Sequence, residues 1–284
     1  ICLYCYTITS QYYLQKGILT GTIFKMNSDD ILKGHLKDLS NASYMQNRYT
    51  FTNFMNSADM EIFYNNLDVF SFSGYRIFGG REGCDRVMIA FGCEENCGYE
   101  PCFPITTIKV SALIDKFSDD LNHRDFLGAL MNMGLEREMI GDILVNSSSN
   151  TGKHSSAYIF CVDSVSEYII DNLTRIRHTN VKCTICTPDD TTSIQLVKNP
   201  VHIIAASARA DAVIAALTGL SRSKTSELFQ NRNITLGNRI YENSSYQLKP
   251  GDIFSIKGFG KYEFVGSGST TRKGRLNINL LKYM

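Results

Sequence analysis

The strongest constraint on the fold is the order of strands and helices between residues 103 and 187. Four stretches have the apolar or alternating pattern of β-strands, at residues 105–110, 143–145, 157–162 and 181–185. One helical stretch separates the first strand from the second, and another separates the third from the fourth. The resulting order, β-α-β-β-α-β, predicts a ferredoxin-like domain.

The two helices of this region are amphipathic. The first, residues 122–133, stops at Gly134 and carries four apolar side chains on one face, Phe126, Leu127, Leu130 and Met131. In the second, Ser164 and Glu167 have the spacing of a capping box. We expect that helix to bury Val165, Tyr168, Ile169 and Leu173. Each helix therefore has one apolar side to bury.

The residues before this region predict a small helical and hairpin module. Residues 28–47 form a helix with Ser28 as its N-cap, and a second helix runs from Ser57 to residue 67. Residues 69–78 and 86–91 are aromatic or apolar and flank a glycine turn.

The residues after it predict a second small α/β unit. Two helices, residues 211–220 and a helix capped by Ser221 that ends near residue 229, precede four short strands. The strands are expected at residues 234–236, 239–241, 253–256 and 262–265. From residue 266 the chain is rich in Gly, Ser and basic residues, which predicts a mobile tail.

The sequence therefore predicts the α+β class with five consecutive parts. They are an N-terminal helical/hairpin module (1–75), a ferredoxin-like domain (76–187), a polar linker (188–199), a small α/β domain (200–266) and a basic flexible tail (267–284). No apolar run approaches the ~18 residues that a membrane span needs, so we expect no membrane partner.

Charge is divided unevenly between the two ends of the chain. Residues 198–284 contain 13 Lys and Arg against five Asp and Glu, a balance of +8. Subtraction from the totals of 29 and 28 leaves 16 basic and 23 acidic residues before them, a balance of −7. Such asymmetry points to a polyanionic partner for the basic part, nucleic acid first and an anionic membrane surface second.

The helix that starts after Ser221 carries the best candidate binding site. Arg222 and Lys224 lie in its first turn, where positive charge opposes the helix dipole, so helix stability does not explain them. The free amides of the helix N-terminus, these two cations and the hydroxyls of Ser221 and Ser223 would together hold a phosphate. Further cations extend this site along a nucleic-acid backbone: Arg232, Arg239, Lys257 and Lys261.

The cysteines do not indicate a metal site. There are nine, an odd number, and the chain has no evident secretory signal, which indicates a reducing cytoplasm. Cys93, Cys97 and Cys102 share a loop, but their spacings of four and five residues differ from the tight pairs of structural zinc. No grouping of residues supports a reaction mechanism either. We therefore expect no metal, no cofactor and no catalytic residue.

The basic segment resembles a known RNA-binding module. The stretch ARADAVIAALTGLSRSKTSELFQNRNITLGNRIYENSSYQLKPGDIFSIKG is similar to the domain named after small-subunit ribosomal protein four. Arg209 and Asp211 match its first motif, Ser221 and Arg222 its second, and residues 251–252 its last. The resemblance adds Arg209 and Asp211 to the candidate RNA-binding residues. Two departures are Arg232, where the family usually has Gly, and an inverted Asn-Gly turn at residues 237–238.

The rest of the chain resembles the YlmH-type proteins of bacteria. The segments FGGREGCDRVMIAF, FPITTIKV and LNHRDFLGALMNMGLEREMIGDILV carry this resemblance, which spans about residues 70–266. It implies a non-enzymatic, cytoplasmic RNA-binding protein that acts on the large ribosomal subunit in translation or ribosome-associated quality control. The implied partners are ribosomal RNA, tRNA or both, and the implied state is a monomer.

Two other functions remain open at this point. Similar domains deliver pseudouridine synthases and a methyltransferase to RNA, so the chain could be an RNA-modifying enzyme. Here the domain comes last, and no Gly-rich methyl-donor loop is evident. Alternatively, the middle domain binds protein and the basic segment only assists localisation. Deletion of residues 198–284 separates this alternative from RNA binding.

Overall fold

The structure is a computed structural model that describes residues 27–147, 154–186, 198–272 and 274–283. Its α-helices are α1 (Ser28–Gln46), α2 (Ser57–Asn65), α3 (Leu67–Phe70), α4 (Glu94–Cys97), α5 (His123–Asn132), α6 (Asp163–Asn172), α7 (Ala210–Thr218) and α8 (Arg222–Gln230). The strands up to the middle of the chain are β1 (Thr50–Phe51), β2 (Tyr75–Phe78), β3 (Met88–Phe91), β4 (Ile105–Ala112), β5 (Ile140–Ser147), β6 (His154–Val162), β7 (Arg175–Ile176) and β8 (Thr179–Ile185). Those of the C-terminal segment, residues 198–283, are β9 (Lys198–Ala205), β10 (Ile234–Leu236), β11 (Arg239–Ile240), β12 (Ile253–Ile256), β13 (Gly260–Thr270) and β14 (Leu276–Tyr283). This is a mixture of helices and antiparallel sheets, as the α+β prediction requires.

The middle of the chain forms a five-stranded antiparallel sheet in the order β5-β6-β4-β8-β7. The predicted succession β-α-β-β-α-β is present, with the two-residue strand β7 added at one edge. Helices α5 and α6 pack on one face, where Phe126, Leu130 and Ile169 meet Ile108 and Ile159 of the sheet in a fully buried core. The strands are longer than the sequence pattern predicted, because β5 and β6 continue beyond their apolar residues.

The predicted capping box at the start of α6 is wrong. The helix begins at Asp163, directly after β6, so Ser164 lies inside the first turn and no side chain caps the helix. The sheet places this start, because the amide of Asp163 donates to the Pro104 carbonyl at 3.0 Å. Tyr168, expected to be buried, is 46% exposed, and its hydroxyl donates to the Met133 carbonyl.

Capping boxes occur instead at the starts of α2 and α5. In α2, Asn56 accepts from the amide of Asp59, whose carboxylate accepts from the Asn56 amide in return. Asn122 and Asp125 repeat the arrangement in α5. Asn serves as an N-cap as well as Ser does, and the Asp carboxylate takes the place of Glu at the third helical position.

The other face of the middle sheet is covered by the N-terminal segment, residues 27–104. Helices α1–α3 and the small sheet β1-β3-β2 form an aromatic core that includes Phe160 of β6. A Cβ at Gly80 would lie 2.5 Å from the Phe160 ring, and one at Gly141 would lie 2.6 Å from Phe54. Only glycine, which has no Cβ, fits against these rings at positions 80 and 141. The boundary expected after residue 75 falls within β2 of this continuous unit.

The C-terminal segment is a six-stranded antiparallel sheet in the order β11-β10-β12-β13-β14-β9, with α7 and α8 packed against it. The flexible tail predicted for residues 267–284 is wrong for its described part. β13 continues to Thr270, and β14 pairs along its whole length with β9, from Leu276 against Ala205 to Tyr283 against Lys198. Burial of Ile278 and Leu280 holds this strand in place. Most of the predicted linker lies outside the described residues.

Candidate nucleic-acid interface

A groove of about 620 Å³ opens where α7, α8 and the end of β9 meet. Three arginines, Arg209, Arg222 and Arg275, line it together with the carboxylate of Asp211. Small side chains complete the wall, among them Ala212, Ala215, Ser207 and Ser226. The groove therefore has three guanidinium groups against one carboxylate, and its small side chains leave the helix backbones open to a ligand.

Asp211 orients Arg209 at the edge of this groove. The guanidinium of Arg209 donates to both carboxylate oxygens of Asp211, at 2.7 and 3.1 Å. The pKa of Arg209 is raised because the Asp211 carboxylate accepts from the guanidinium. Asp211 also accepts from the amide of Ala212 in the first turn of α7. Asp211 therefore acts as a support for Arg209, since a carboxylate would repel a phosphate.

The start of α8 has the N-cap that the sequence predicted. Ser221 is the N-cap, and its Oγ accepts from the amide of Lys224 at 3.4 Å and lies 3.1 Å from the Oγ of Ser223. Arg222, Ser223 and Lys224 are exposed. Arg222 points toward the groove, whereas Lys224 and Ser223 lie outside its lining. The cap takes the amide of Lys224, so the first turn offers the amides of Arg222 and Ser223 beside one guanidinium and one ammonium group.

Sequence reasoning missed Arg275. It precedes β14, lines the groove, and also borders a shallow neighbouring cavity of about 350 Å³ together with Arg272. The basic run from residue 272 to residue 275 is the available signal, but the Gly- and Ser-rich residues around it predict a mobile tail. Only the pairing of β14 with β9 shows that this run lies next to α8.

The other predicted cations lie elsewhere, on the side of the C-terminal segment that faces the N-terminal segment. Arg232 pairs with Glu61 and, at 3.3 Å, with Glu242. The guanidinium of Arg239 lies over the ring of Tyr64, at 5.3 Å.

Lys261 and Lys257 belong to this second group. The ammonium group of Lys261 bonds the Asp85 carboxylate at 2.6 Å and the Gly83 carbonyl. Lys257 is exposed. The structure therefore divides the predicted site into a groove beside α8 and a separate basic surface at the junction of the two segments.

The described cysteines do not form a metal centre. Cys93 and Cys97 lie at either end of α4, Cys102 is exposed, and all three are free. Within the described ranges, no three His, Cys, Asp or Glu side chains gather as metal ligands would. No helix of the described part is long and apolar enough to cross a membrane.

The comparisons with known proteins concern the middle of the chain most directly. Residues 103–189 match the family model described as "Putative RNA-binding domain in YlmH". This match covers β4 to β8, which is the β-α-β-β-α-β region. The match does not reach the groove, whose lining residues all lie in the C-terminal segment.

A curated relative extends the similarity over more of the chain. It is "Ribosome-associated protein quality control protein P2" of Bacillus subtilis (strain 168), 26% identical over 208 residues, which are 72% of this chain and 76% of the relative. The family match and this relative confirm the resemblance to YlmH-type proteins. A solved structure, "Cell division protein ylmH from Streptococcus pneumoniae", is 17% identical with a TM-score of 0.42, over 60% of this chain and 98% of that one.

Proposed function

We propose that this protein binds structured RNA on the ribosome, without catalysis, and acts in ribosome-associated quality control. The observation that carries the proposal is the groove beside α8, which is lined by Arg209, Arg222 and Arg275 next to the first turn of that helix. The RNA-binding description of the matched family model and the printed name of the Bacillus subtilis relative support it.

The groove suits a phosphate backbone rather than a base edge. Its three arginines donate in planar pairs, which match phosphate oxygens, and the helix amides add fixed donors. A-form RNA hides its base edges in a deep, narrow groove, so recognition by shape and phosphate contacts is expected to dominate. We therefore assign the C-terminal segment as a module like that of small-subunit ribosomal protein four, and its ligand as ribosomal RNA or tRNA.

The left-handed backbone at Arg232 is relevant to that assignment. Its φ is 58°, a conformation that glycine adopts without strain. This is the position at which the related modules usually have Gly, so this departure preserves the backbone shape of the module. Gly237 has a φ of 58° at the first position of the β10–β11 turn, which accounts for the inverted Gly-Asn order there.

The fold leads us to group the N-terminal segment and the middle sheet as one unit and residues 198–283 as another. Their separate sheets and cores support this division. The first unit includes the region matched by the YlmH family model and, in this proposal, gives the protein its further contacts with the large ribosomal subunit.

The test is sedimentation of the tagged protein in a bacterial lysate on sucrose gradients, at low and high salt. We expect co-migration with the large subunit that is lost at high salt and in Arg222→Glu, because phosphate contacts release counterions. Lys249→Glu, a charge reversal at an exposed cation of the C-terminal segment that lines neither cavity, is the control and should co-migrate like the wild type. Protein that stays at the top of every gradient would refute the proposal.

A further inference from the structure

A second cavity, here called the cleft, lies between the first unit, which is the N-terminal segment with the middle sheet, and the C-terminal segment. Its volume is about 740 Å³. Five cationic side chains line it, Arg86 and Arg137 from the first unit and Arg232, Lys257 and Lys261 from the second. Asp85 is the one acidic residue among the described lining residues. The positive charge of the cleft therefore comes from both parts of the chain.

Arg86 and Arg137 are held in place by backbone carbonyls rather than by carboxylates. Arg86 donates to the carbonyl of Ile140 at 3.0 Å and to that of Phe54 at 2.8 Å, and Arg137 also donates to Ile140. Burial lowers the pKa of Arg86. Burial and the charge of Arg86 lower the pKa of Arg137 to about 10. These two half-buried guanidinium groups share one carbonyl acceptor and repel each other, and an anion beside them would relieve the repulsion.

Carboxylates outside the lining balance part of this charge, and two of them, Glu61 and Glu242, pair with Arg232. Asp59, Asp142 and Glu138 act on Arg86, but none of them lines the cleft. The carboxylate of Asp142 is occupied by the backbone amides of Asp85 and Arg86, at 2.8 and 3.0 Å.

At the rim, Asp85 forms the ion pair with Lys261, and 57% of the Asp85 side chain is exposed. Lys257 is exposed and has no ion pair within the described residues. An incoming anion would therefore meet Lys257 directly and compete with Asp85 for Lys261.

We propose that the cleft binds a backbone phosphate of the RNA that occupies the groove, so that one RNA contacts both parts of the chain. This inference rests on the proposed function and extends it to Arg86 and Arg137. Ile256 is the one apolar side chain among the described lining residues, and hydroxyl and amide groups line most of the remainder. Such a lining suits phosphate and ribose oxygens better than the side chains of a protein partner.

The cleft and the groove lie near opposite ends of α8. Arg222 begins α8 at the groove, and Arg232 follows its C-terminal end at the cleft. Nine helical residues rise about 14 Å, a span that one RNA helix bridges.

The experiment measures binding of a fluorescein-labelled RNA hairpin to the full chain by fluorescence anisotropy over a series of KCl concentrations. Lys257→Gln should weaken binding about fivefold and lower the slope of log K against log salt by about 1, because one phosphate contact is lost. Asp85→Asn should strengthen binding, because it removes a repelling charge and frees Lys261. Lys37→Gln, at an exposed lysine of α1, should bind like the wild type.

The opposite directions of the two changes guard against misfolding, since a damaged protein would not bind more tightly. If Lys257→Gln and Asp85→Asn both bind like the wild type while Arg222→Glu binds weakly, the cleft is not an RNA site. That result would leave the proposed function intact and would indicate that the cleft binds a protein partner instead. If the wild type itself binds no RNA, both proposals fail.

Discussion

Arg232→Gly separates the conformational role of Arg232 from the role of its charge. A non-glycine residue in the left-handed region costs about 1–2 kcal/mol, which glycine recovers. Against this gain, glycine loses about 0.5–1 kcal/mol of backbone entropy on folding. The ion pairs with Glu61 and Glu242 leave 48% of the Arg232 side chain exposed, and such pairs contribute about 0–1 kcal/mol each. These opposing terms nearly cancel, so the free energy of unfolding should stay within about 2 kcal/mol of the wild type.

RNA binding should respond differently from stability. Because Arg232 lines the cleft, its loss should weaken binding of the RNA hairpin and reduce the salt slope by about 1. Arg177→Gly is the matched control, since Arg177 has a φ of 52°, an exposed guanidinium and an ion pair with Asp125 at 3.6 Å. It makes the same change outside the groove and the cleft. Urea unfolding gives the stability of both variants, and anisotropy gives their affinity.

Two results would refute this reasoning. A loss of stability above about 2 kcal/mol in Arg232→Gly alone would mean that its contact with Glu61 clamps the two parts of the chain together far more strongly than an exposed ion pair does. Equal RNA affinity in Arg232→Gly and the wild type would remove Arg232 from the binding surface.

Three further predictions concern the cores. Gly141→Ala should lower the free energy of unfolding by about 1–3 kcal/mol, because its Cβ would overlap a buried phenylalanine ring. Gly128→Ala, which has open space around it, should not lower it, and urea titration measures both variants. Leu280→Ala should cost about 2–5 kcal/mol in the same assay, and no change would mean that β14 is not a packed strand. Burial raises the pKa of Cys161 to about 12 from an ordinary 9.0. Between about pH 9 and 12 the thiol ionises in the unfolded chain but not in the folded one, so the free energy of unfolding should fall as pH rises through this range. At neutral pH a thiol reagent should modify Cys102 at once and Cys161 only after unfolding.

Local sequence patterns determined most of the individual elements. A helix-start signal at Ser28 predicted α1, although the N-cap is Asn27 and Ser28 is the first helical residue. Apolar patterns predicted α5 and the strands of the middle sheet, and Ser221 marked the start of α8. These signals are readable because helix and strand periodicity and the chemistry of a cap act within one turn or a few residues. The excess of basic residues in the last part of the chain is likewise a property of composition alone.

Tertiary structure decided which cations share a surface. The sequence offered ten candidate residues as one site, but the sheet places Arg222 beside Arg275 and puts Lys261 against Asp85, more than 170 positions away. It also turned a Gly- and Ser-rich tail into paired strands, because β9 supplies a partner that no local window contains. Strand pairing and charge neutralisation depend on residues distant in sequence, so the fold had to be seen before the groove and the cleft could be told apart.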